Sequence, residues 1–121
     1  MSDQKKIVIV DDDAVALRTM KDALSETFKV YGANSGPNAL KVMKKVGADL
    51  VLLDHEMPEM NGPEVLREMR SMPETALVPV FFLSGAEMDE AEAKAQGALG
   101  FIRKGTAMWE ILERIGEAVT G

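Results

Sequence analysis

Three consecutive aspartates, Asp11, Asp12 and Asp13, directly follow the apolar run from Ile7 to Val10. Four β-branched residues in sequence are typical of a strand that is buried on both faces of a parallel sheet. Carboxylates crowded at the end of such a strand repel one another, and a bound cation keeps them ionised most easily. Because open α/β sheets bind ligands at the carboxyl ends of their strands, we predict a cation site at this position.

A second acidic strand end and two further polar groups fall at the same edge of the predicted sheet. Asp54 ends the third apolar run, Ser84 follows the fourth, and Lys104 follows the fifth. Carboxylates of Asp54, Asp11 and Asp12 that converge on this edge would form a hard oxygen site suited to Mg²⁺. Taken singly, Ser84 is more simply a strand-ending serine and Lys104 a solvated lysine. Taken together, these groups are what is required to hold a metal ion and a phosphoryl group on a carboxylate.

Five short apolar runs alternate with longer segments of helical apolar spacing. The predicted strands cover residues 6–10, 29–33, 50–54, 78–83 and 99–103. Helical patterns lie between them, and the fourth and fifth helices are predicted at about residues 88–96 and 106–120. This alternation predicts an α/β fold: a doubly wound, five-stranded parallel sheet of the flavodoxin-like type, with strand order 2-1-3-4-5 and five helices. The fourth helix is rich in alanine and is expected to be the loosest element.

Length and composition limit the possible functions. A chain of 121 residues suits one domain over residues 1–121, and a net charge of -6 argues against gripping nucleic acid or an anionic membrane through charge. The absence of cysteine excludes disulfides, thiolate catalysis and cysteine-based zinc sites. The apolar run near the N-terminus is too short for a signal peptide, and no stretch approaches membrane-spanning length. A cytoplasmic location is therefore expected.

Four segments together resemble the receiver domain of two-component response regulators, and the resemblance extends from about Lys6 to Val119. The signal is specific because an aspartate followed by Met-Pro-x-Met-x-Gly accompanies an acidic pair and a late lysine. The segments are Ile7 to Asp13, Asp54 to Gly62, Phe82 to Gly85, and Gly100 to Lys104.

The resemblance implies a role for each site residue. Asp54 is the residue phosphorylated by a phosphohistidine of a sensor histidine kinase or phosphotransfer protein. Asp11 and Asp12 form the acidic pair of the Mg²⁺ site, in which Asp12, Asp54 and the backbone carbonyl of Glu56 are the direct ligands. Ser84 and Lys104 contact the phosphoryl group.

The resemblance also implies how the protein signals. Ser84 and the aromatic Phe101 act as switch residues, and the surface of the fourth helix, fifth strand and fifth helix contacts a downstream protein. Phosphorylation-dependent dimerisation is one possible outcome. Such a domain catalyses only its own phosphorylation and dephosphorylation, so it is a signalling phosphoacceptor rather than an enzyme.

One position departs from the family pattern. The family has a proline with a cis peptide bond after the lysine, whereas this chain has Gly105. A cis bond before a non-proline residue costs about 2.5–4 kcal/mol. We therefore predict a trans Lys104–Gly105 bond or a mobile loop.

Several neighbours of the site have more than one interpretation. The side chain of Glu56 can slow phosphoryl transfer, orient water for hydrolysis, or simply face solvent. His55 is expected to have an ordinary structural or exposed role, and Asp13 to cap a helix or lie just outside the metal site. Trp109 is either a partner anchor or a partly packed side chain.

Two other functions fit some of the residues. The segment from Val10 to Val15 also resembles the start of haloacid-dehalogenase-type phosphatases, in which Asp11 would be the nucleophile and Asp13 the acid. The chain is short for that fold and lacks a later acidic pair at a strand end. A degenerate receiver that binds partners without phosphorylation is the third hypothesis, and Gly105 is the feature that supports it.

Overall fold

A computed structural model of the protein describes residues 4–120. Strands and helices alternate along this part of the chain, in the order β1 Lys6–Val10, α1 Ala14–Leu24, β2 Lys29–Ala33, α2 Gly36–Val46, β3 Leu50–Asp54, α3 Gly62–Ser71, β4 Val80–Ser84, α4 Glu90–Ala95, β5 Gly100–Arg103 and α5 Met108–Thr120. Every strand pair is parallel, and the strand order in the sheet is 2-1-3-4-5. The predicted flavodoxin-like fold is confirmed.

Each face of the sheet carries its own apolar core. Val8 and Val10 of β1 pack into a cluster with residues of α2 and α3, whereas Ile7 and Ile9 pack with residues of α1 and α5. Successive side chains of a strand point to opposite faces, so a single strand contributes residues to both cores. The polar ends of the strands are thereby held at the edge between the two layers of helices.

Local signals in the sequence set where three helices begin. Asp13 caps α1, since its carboxylate accepts hydrogen bonds from the N–H groups at positions 15 and 16, and the capping role expected for Asp13 is confirmed. Ser35 caps α2, and Pro37 lies in the first turn of that helix. Asn61 and Glu64 form a reciprocal capping box at α3.

The later elements differ from the predicted bounds by one or two residues. Strand β4 begins at Val80 rather than at residue 78, because Pro79 has no N–H to donate and Val78 closes a turn onto Thr75. Helix α5 begins at Met108 rather than at 106, because Thr106 folds back in a turn onto the Arg103 carbonyl. Strand β5 begins one residue later than predicted, and α4 is two residues shorter at its start and one shorter at its end.

Helix α4 buries little side-chain surface, since five of its six residues are exposed. It has six residues, and Ala93 is its one buried residue. Few buried apolar contacts make an element easier to open locally, which agrees with the expected looseness of this helix. Within residues 4–120, no helix is long and apolar enough to cross a membrane.

Candidate functional site

The carboxyl ends of β1 and β3 bring three carboxylates together. Val10 lies opposite Leu53 in the parallel pair, so the residues that follow both strands meet at one edge. Carboxylate oxygens of Asp11, Asp12 and Asp54 all lie within 4.8 Å of one another. Asp11 and Asp54 are buried and Asp12 is exposed, so the cluster is open to solvent on one side. This donor set fits a hard divalent cation such as Mg²⁺, which favours carboxylate oxygens and retains water ligands.

Lys104 reaches the same cluster from the end of β5. Its backbone N–H donates to the Ser84 carbonyl at 2.7 Å, which fixes the start of the following loop. Its Nζ lies 3.0 Å from Asp11 Oδ2 and 3.2 Å from Asp54 Oδ2. The sequence placed Lys104 at this edge of the sheet but did not predict its pairing with Asp11. One ammonium group cannot neutralise three carboxylates, so the cluster remains negative and favours a further cation.

The protonation equilibria reflect this crowding. Burial raises the pKa of Asp54 to about 6; the hydrogen bond from Lys104 opposes this shift and the nearby negative charge of Asp11 adds to it. For Lys104, burial lowers the pKa, but hydrogen bonds and charge attraction to Asp11 and Asp54 outweigh burial and raise it above its ordinary value. A cation bound beside Asp54 would favour its ionised form, which is the form that can act as a nucleophile.

A pocket of about 450 Å³ opens directly over the cluster. Its walls include Asp12, Asp54, Glu56, Ser84, Ala86 and Lys104. The pocket thus contains both the acidic groups that can hold a metal ion and the hydroxyl and ammonium groups that can contact an anion. This combination is the one expected for a site that binds a metal ion and a phosphoryl group together.

Ser84 lies in the pocket wall, but its hydroxyl is engaged by its own loop. The hydroxyl donates to the Ala86 carbonyl at 2.6 Å and accepts from the Ala86 N–H at 3.2 Å. Contact with a phosphoryl group would require the hydroxyl to leave the Ala86 carbonyl. A change in the contacts of the Ser84 hydroxyl would therefore alter the loop that connects β4 to α4.

The two residues after Asp54 differ in their surroundings. The Glu56 N–H donates to Asp54 Oδ1 at 3.3 Å, while the Glu56 side chain is exposed at the pocket rim. The His55 ring packs edge-on against Phe82, with ring centres 5.1 Å apart. Its Nε2 atom is buried and has no hydrogen-bond partner among the described residues. The His55 ring thus has a packing role, as expected, and the residue also borders the pocket over the acidic cluster.

The two aromatic candidates lie in different environments. Phe101 is half-buried and packs against the apolar cluster on the α2–α3 face of the sheet. The side chain of Trp109 is 67% exposed near the start of α5. Of the two interpretations of Trp109, partial packing therefore accounts for little of this side chain.

Gly105 lies in a loop whose conformation suits glycine rather than proline. No peptide bond between residues 4 and 120 is cis, so the predicted trans Lys104–Gly105 bond is confirmed. Gly105 adopts a φ of 96°, in the left-handed region that favours glycine. Proline cannot adopt this φ, since its ring fixes φ near −65°. The loop still delivers the Lys104 ammonium group to the acidic cluster.

The sequence matches the response regulator receiver domain family over residues 7–116. The chain belongs to this family. It is 33% identical over 102 residues to the chemotaxis protein CheY of Thermotoga maritima, and the match covers 83% of this chain and 85% of that protein. Among solved structures, a response regulator from Desulfuromonas acetoxidans superposes with a TM-score of 0.86 and 28% identity, over 96% of this chain and 97% of that one.

Other relatives are much longer than this chain. A probable cyclic di-GMP phosphodiesterase of Vibrio cholerae is 39% identical over 89 residues, which is 74% of this chain but 20% of that protein. The chain likewise spans 12% of a sensor histidine kinase of Ectopseudomonas mendocina. Receiver domains are signalling phosphoacceptors of two-component systems that take phosphoryl groups from histidine kinases and bind Mg²⁺ at an acidic pocket. The activities of the longer relatives belong to those proteins.

Proposed function

We propose that this chain is a phosphoacceptor in which Asp54 receives a phosphoryl group from a histidine kinase or phosphotransfer protein. The observation that carries the proposal is the convergence of Asp11, Asp12, Asp54 and Lys104 at one edge of the sheet, beneath an open pocket. Two of these residues directly follow β1, one ends β3 and one directly follows β5. Such convergence of three separate segments has no evident role in packing.

The proposed reaction is a single phosphoryl transfer. A carboxylate oxygen of Asp54 attacks the phosphorus of the phosphohistidine, an O–P bond forms, and the N–P bond breaks. The imidazole leaves with the electron pair of that bond and takes up a proton from solvent. The product on this chain is an acyl phosphate. Its formation depends mainly on positioning and on offsetting the charge of the phosphoryl oxygens.

Each residue of the cluster would have a separate role in the transfer. Asp12, Asp54 and the backbone carbonyl of Glu56 would hold Mg²⁺, with Asp11 beside them. When bound, the ion supplies positive charge to the phosphoryl oxygens. Lys104 would supply a second positive charge, since its Nζ lies 3.2 Å from Asp54 Oδ2.

Switching would begin with the contact between Ser84 and the phosphoryl group. Ser84 contacts the phosphoryl group only by giving up its bond to the Ala86 carbonyl, which displaces the loop before α4. Phe101 of β5 then changes position. The surface formed by α4, β5 and α5 changes with it, so that it binds a downstream protein or a second copy of this chain. The small, weakly anchored α4 is the element that such a change displaces most easily.

The phosphatase hypothesis fits the geometry less well. In that hypothesis Asp13 acts as an acid, but its Oδ1 atom caps α1 by accepting from two backbone N–H groups. Asp11 would be the nucleophile, but it is buried and paired with Lys104. Asp54 borders the pocket, whereas the pocket wall does not include Asp11.

Binding of a phosphoryl mimic tests the proposal. Beryllofluoride and Mg²⁺ are titrated into the protein, and amide shifts are followed by NMR. We expect saturable, Mg²⁺-dependent shifts around Asp54 and Ser84, loss of binding in Asp54→Asn, and near-normal binding in the control Asp13→Asn, which keeps a capping oxygen. Absence of binding by the wild-type protein would favour the phosphorylation-independent receiver.

A further inference from the structure

Arg114 of α5 joins three other elements of the fold through one guanidinium group. Its Nη1 donates to the Phe101 carbonyl of β5 at 2.7 Å, and its Nη2 lies 3.9 Å from Glu90 Oε1 of α4. The same guanidinium lies over the Phe81 ring of β4, 4.8 Å from the ring centre, within the range of a cation–π contact. Nothing in the sequence pattern singled out this residue.

The contact at β5 protects an exposed strand edge. β5 is the last strand in the sheet, so one of its edges lacks a partner strand among residues 4–120. Arg114 supplies a charged donor to the Phe101 carbonyl at that edge, and charge-assisted hydrogen bonds of this kind are the stronger ones. The backbone of the proposed switch residue is therefore fixed to α5.

Gly100 makes room for this arrangement. A Cβ atom at position 100 would overlap the Glu90 carboxylate and lie 3.4 Å from Arg114 Nη2. The missing side chain lets the carboxylate of α4 and the guanidinium of α5 approach each other across β5. Any larger residue at position 100 would displace the Glu90 side chain.

The Glu90 contact lies at the start of α4. The segment after α4 is secured by Arg70, whose Nη2 donates to the Gly97 carbonyl at 3.1 Å. The start of α4 follows the loop that begins at Ser84, the residue whose hydroxyl must move toward a phosphoryl group. A tie at Glu90 therefore resists the displacement that phosphorylation requires.

We propose that Glu90 and Arg114 form a latch that holds the start of α4 against β5 and α5 in the resting protein, and that thereby lowers the affinity of the Asp54 site for a phosphoryl group. Arg114 acts as a positioning residue, since it does not touch the site. This inference rests on the proposed function, because it describes how that site is regulated. A ligand that favours the displaced state binds more tightly when the resting state is less favoured.

The test compares Glu90→Gln with Glu92→Gln, which makes the same charge change in the same short helix at an exposed position for which the structure shows no ion pair. Beryllofluoride–Mg²⁺ affinity is measured for both variants. Because the ion pair is half-exposed, we expect Glu90→Gln to raise the affinity by about two- to fivefold and Glu92→Gln to leave it unchanged. Equal affinities for the two variants would overturn the proposal.

A double-mutant cycle assigns the effect to Arg114. The Glu90→Gln substitution is repeated in an Arg114→Met background, where we expect it to have no further effect on affinity. The same gain in that background would show that Glu90 acts without Arg114 and would overturn the latch.

Amide hydrogen exchange tests the Glu90–Arg114 latch in the absence of any phosphoryl mimic. In the resting protein, the amides of α4 should exchange faster in Glu90→Gln than in Glu92→Gln. Equal exchange rates would contradict the latch whatever the site binds. Failure of the wild-type protein to bind the mimic would instead contradict the proposed function, so the two failures are distinguishable.

Discussion

The Nζ of Lys104 lies 3.2 Å from Asp54 Oδ2, although fifty residues separate the two in the chain. β4 lies between the strands that carry them, so the contact spans the end of an intervening strand. The lysine also contacts Asp11 at 3.0 Å, and a single ammonium group therefore balances part of the charge of two buried carboxylates. The resting site is held together by a cation from the chain itself.

Removing that cation should destabilise the metal-free protein. Lys104→Met leaves Asp11 and Asp54 without a positive partner, and breaking a buried pair by removing one partner is costly. Because the lysine side chain is one-third exposed, we expect a smaller loss of about 1–3 kcal/mol in the free energy of unfolding. Urea denaturation at pH 7 in EDTA measures it, and Lys44→Met on the exposed face of α2 is the control. Equal stability of the two variants would show that the pairing is not stabilising.

The pH dependence of stability should report the burial of Asp54. Its pKa in the folded protein is raised to about 6 from 3.8, so ionised Asp54 destabilises the fold fully above pH 6, and this cost disappears as the pH falls through 6 toward 4. In EDTA at pH 7, Asp54→Asn should therefore be about 1–3 kcal/mol more stable than the wild type. The difference should shrink at pH 4.5. A difference that grows on acidification would mean that the pKa of Asp54 is lowered by folding.

Mg²⁺ binding should separate two adjacent aspartates. Asp12 contributes to the carboxylate cluster, whereas the Asp13 carboxylate caps α1. We expect Asp12→Asn to weaken Mg²⁺ binding about tenfold or more, because one charged ligand of few is lost. Asp13→Asn retains a capping oxygen and should bind nearly as well as the wild type. Calorimetric titration measures both affinities, and an equal loss in both variants would place Asp13 in the metal site.

Substitutions at Gly105 test whether this loop requires a residue that adopts a left-handed φ. Introducing proline, the residue usual in the family, should not improve the protein, because its φ of about −65° cannot match the 96° of Gly105. Gly105→Ala should cost about 1–2 kcal/mol for the left-handed conformation, and Gly105→Pro should cost more. Thermal unfolding measures both changes. If Gly105→Pro is as stable as the wild type, the loop has a second accessible conformation.

The features predictable from the sequence were those set by local pattern and topology. Alternation of apolar runs with helical spacing predicted the strand order, and that order placed Asp54 beside Asp11 and Asp12. The cap at Asp13 and the trans bond before Gly105 followed from the chemistry of single residues. These features do not depend on how distant side chains orient.

The features that the sequence did not predict arise from side-chain packing between distant segments. The pairing of Asp11 with Lys104 depends on the path of the loop after β5, in which Gly105 adopts a left-handed φ. The bond from Ser84 to Ala86 depends on one rotamer, and Arg114 reaches Phe101 and Glu90 because Gly100 leaves space across β5. No spacing rule encodes these contacts.

Mapping of the phosphorylated residue tests the central claim most directly. The protein is incubated with acetyl phosphate and Mg²⁺, the acyl phosphate is trapped by reduction with borohydride, and peptides are identified by mass spectrometry. We predict that the modification falls on Asp54 in the wild-type protein and is absent from Asp54→Asn. Modification of Asp11 that persists in Asp54→Asn would contradict the account and support the phosphatase hypothesis.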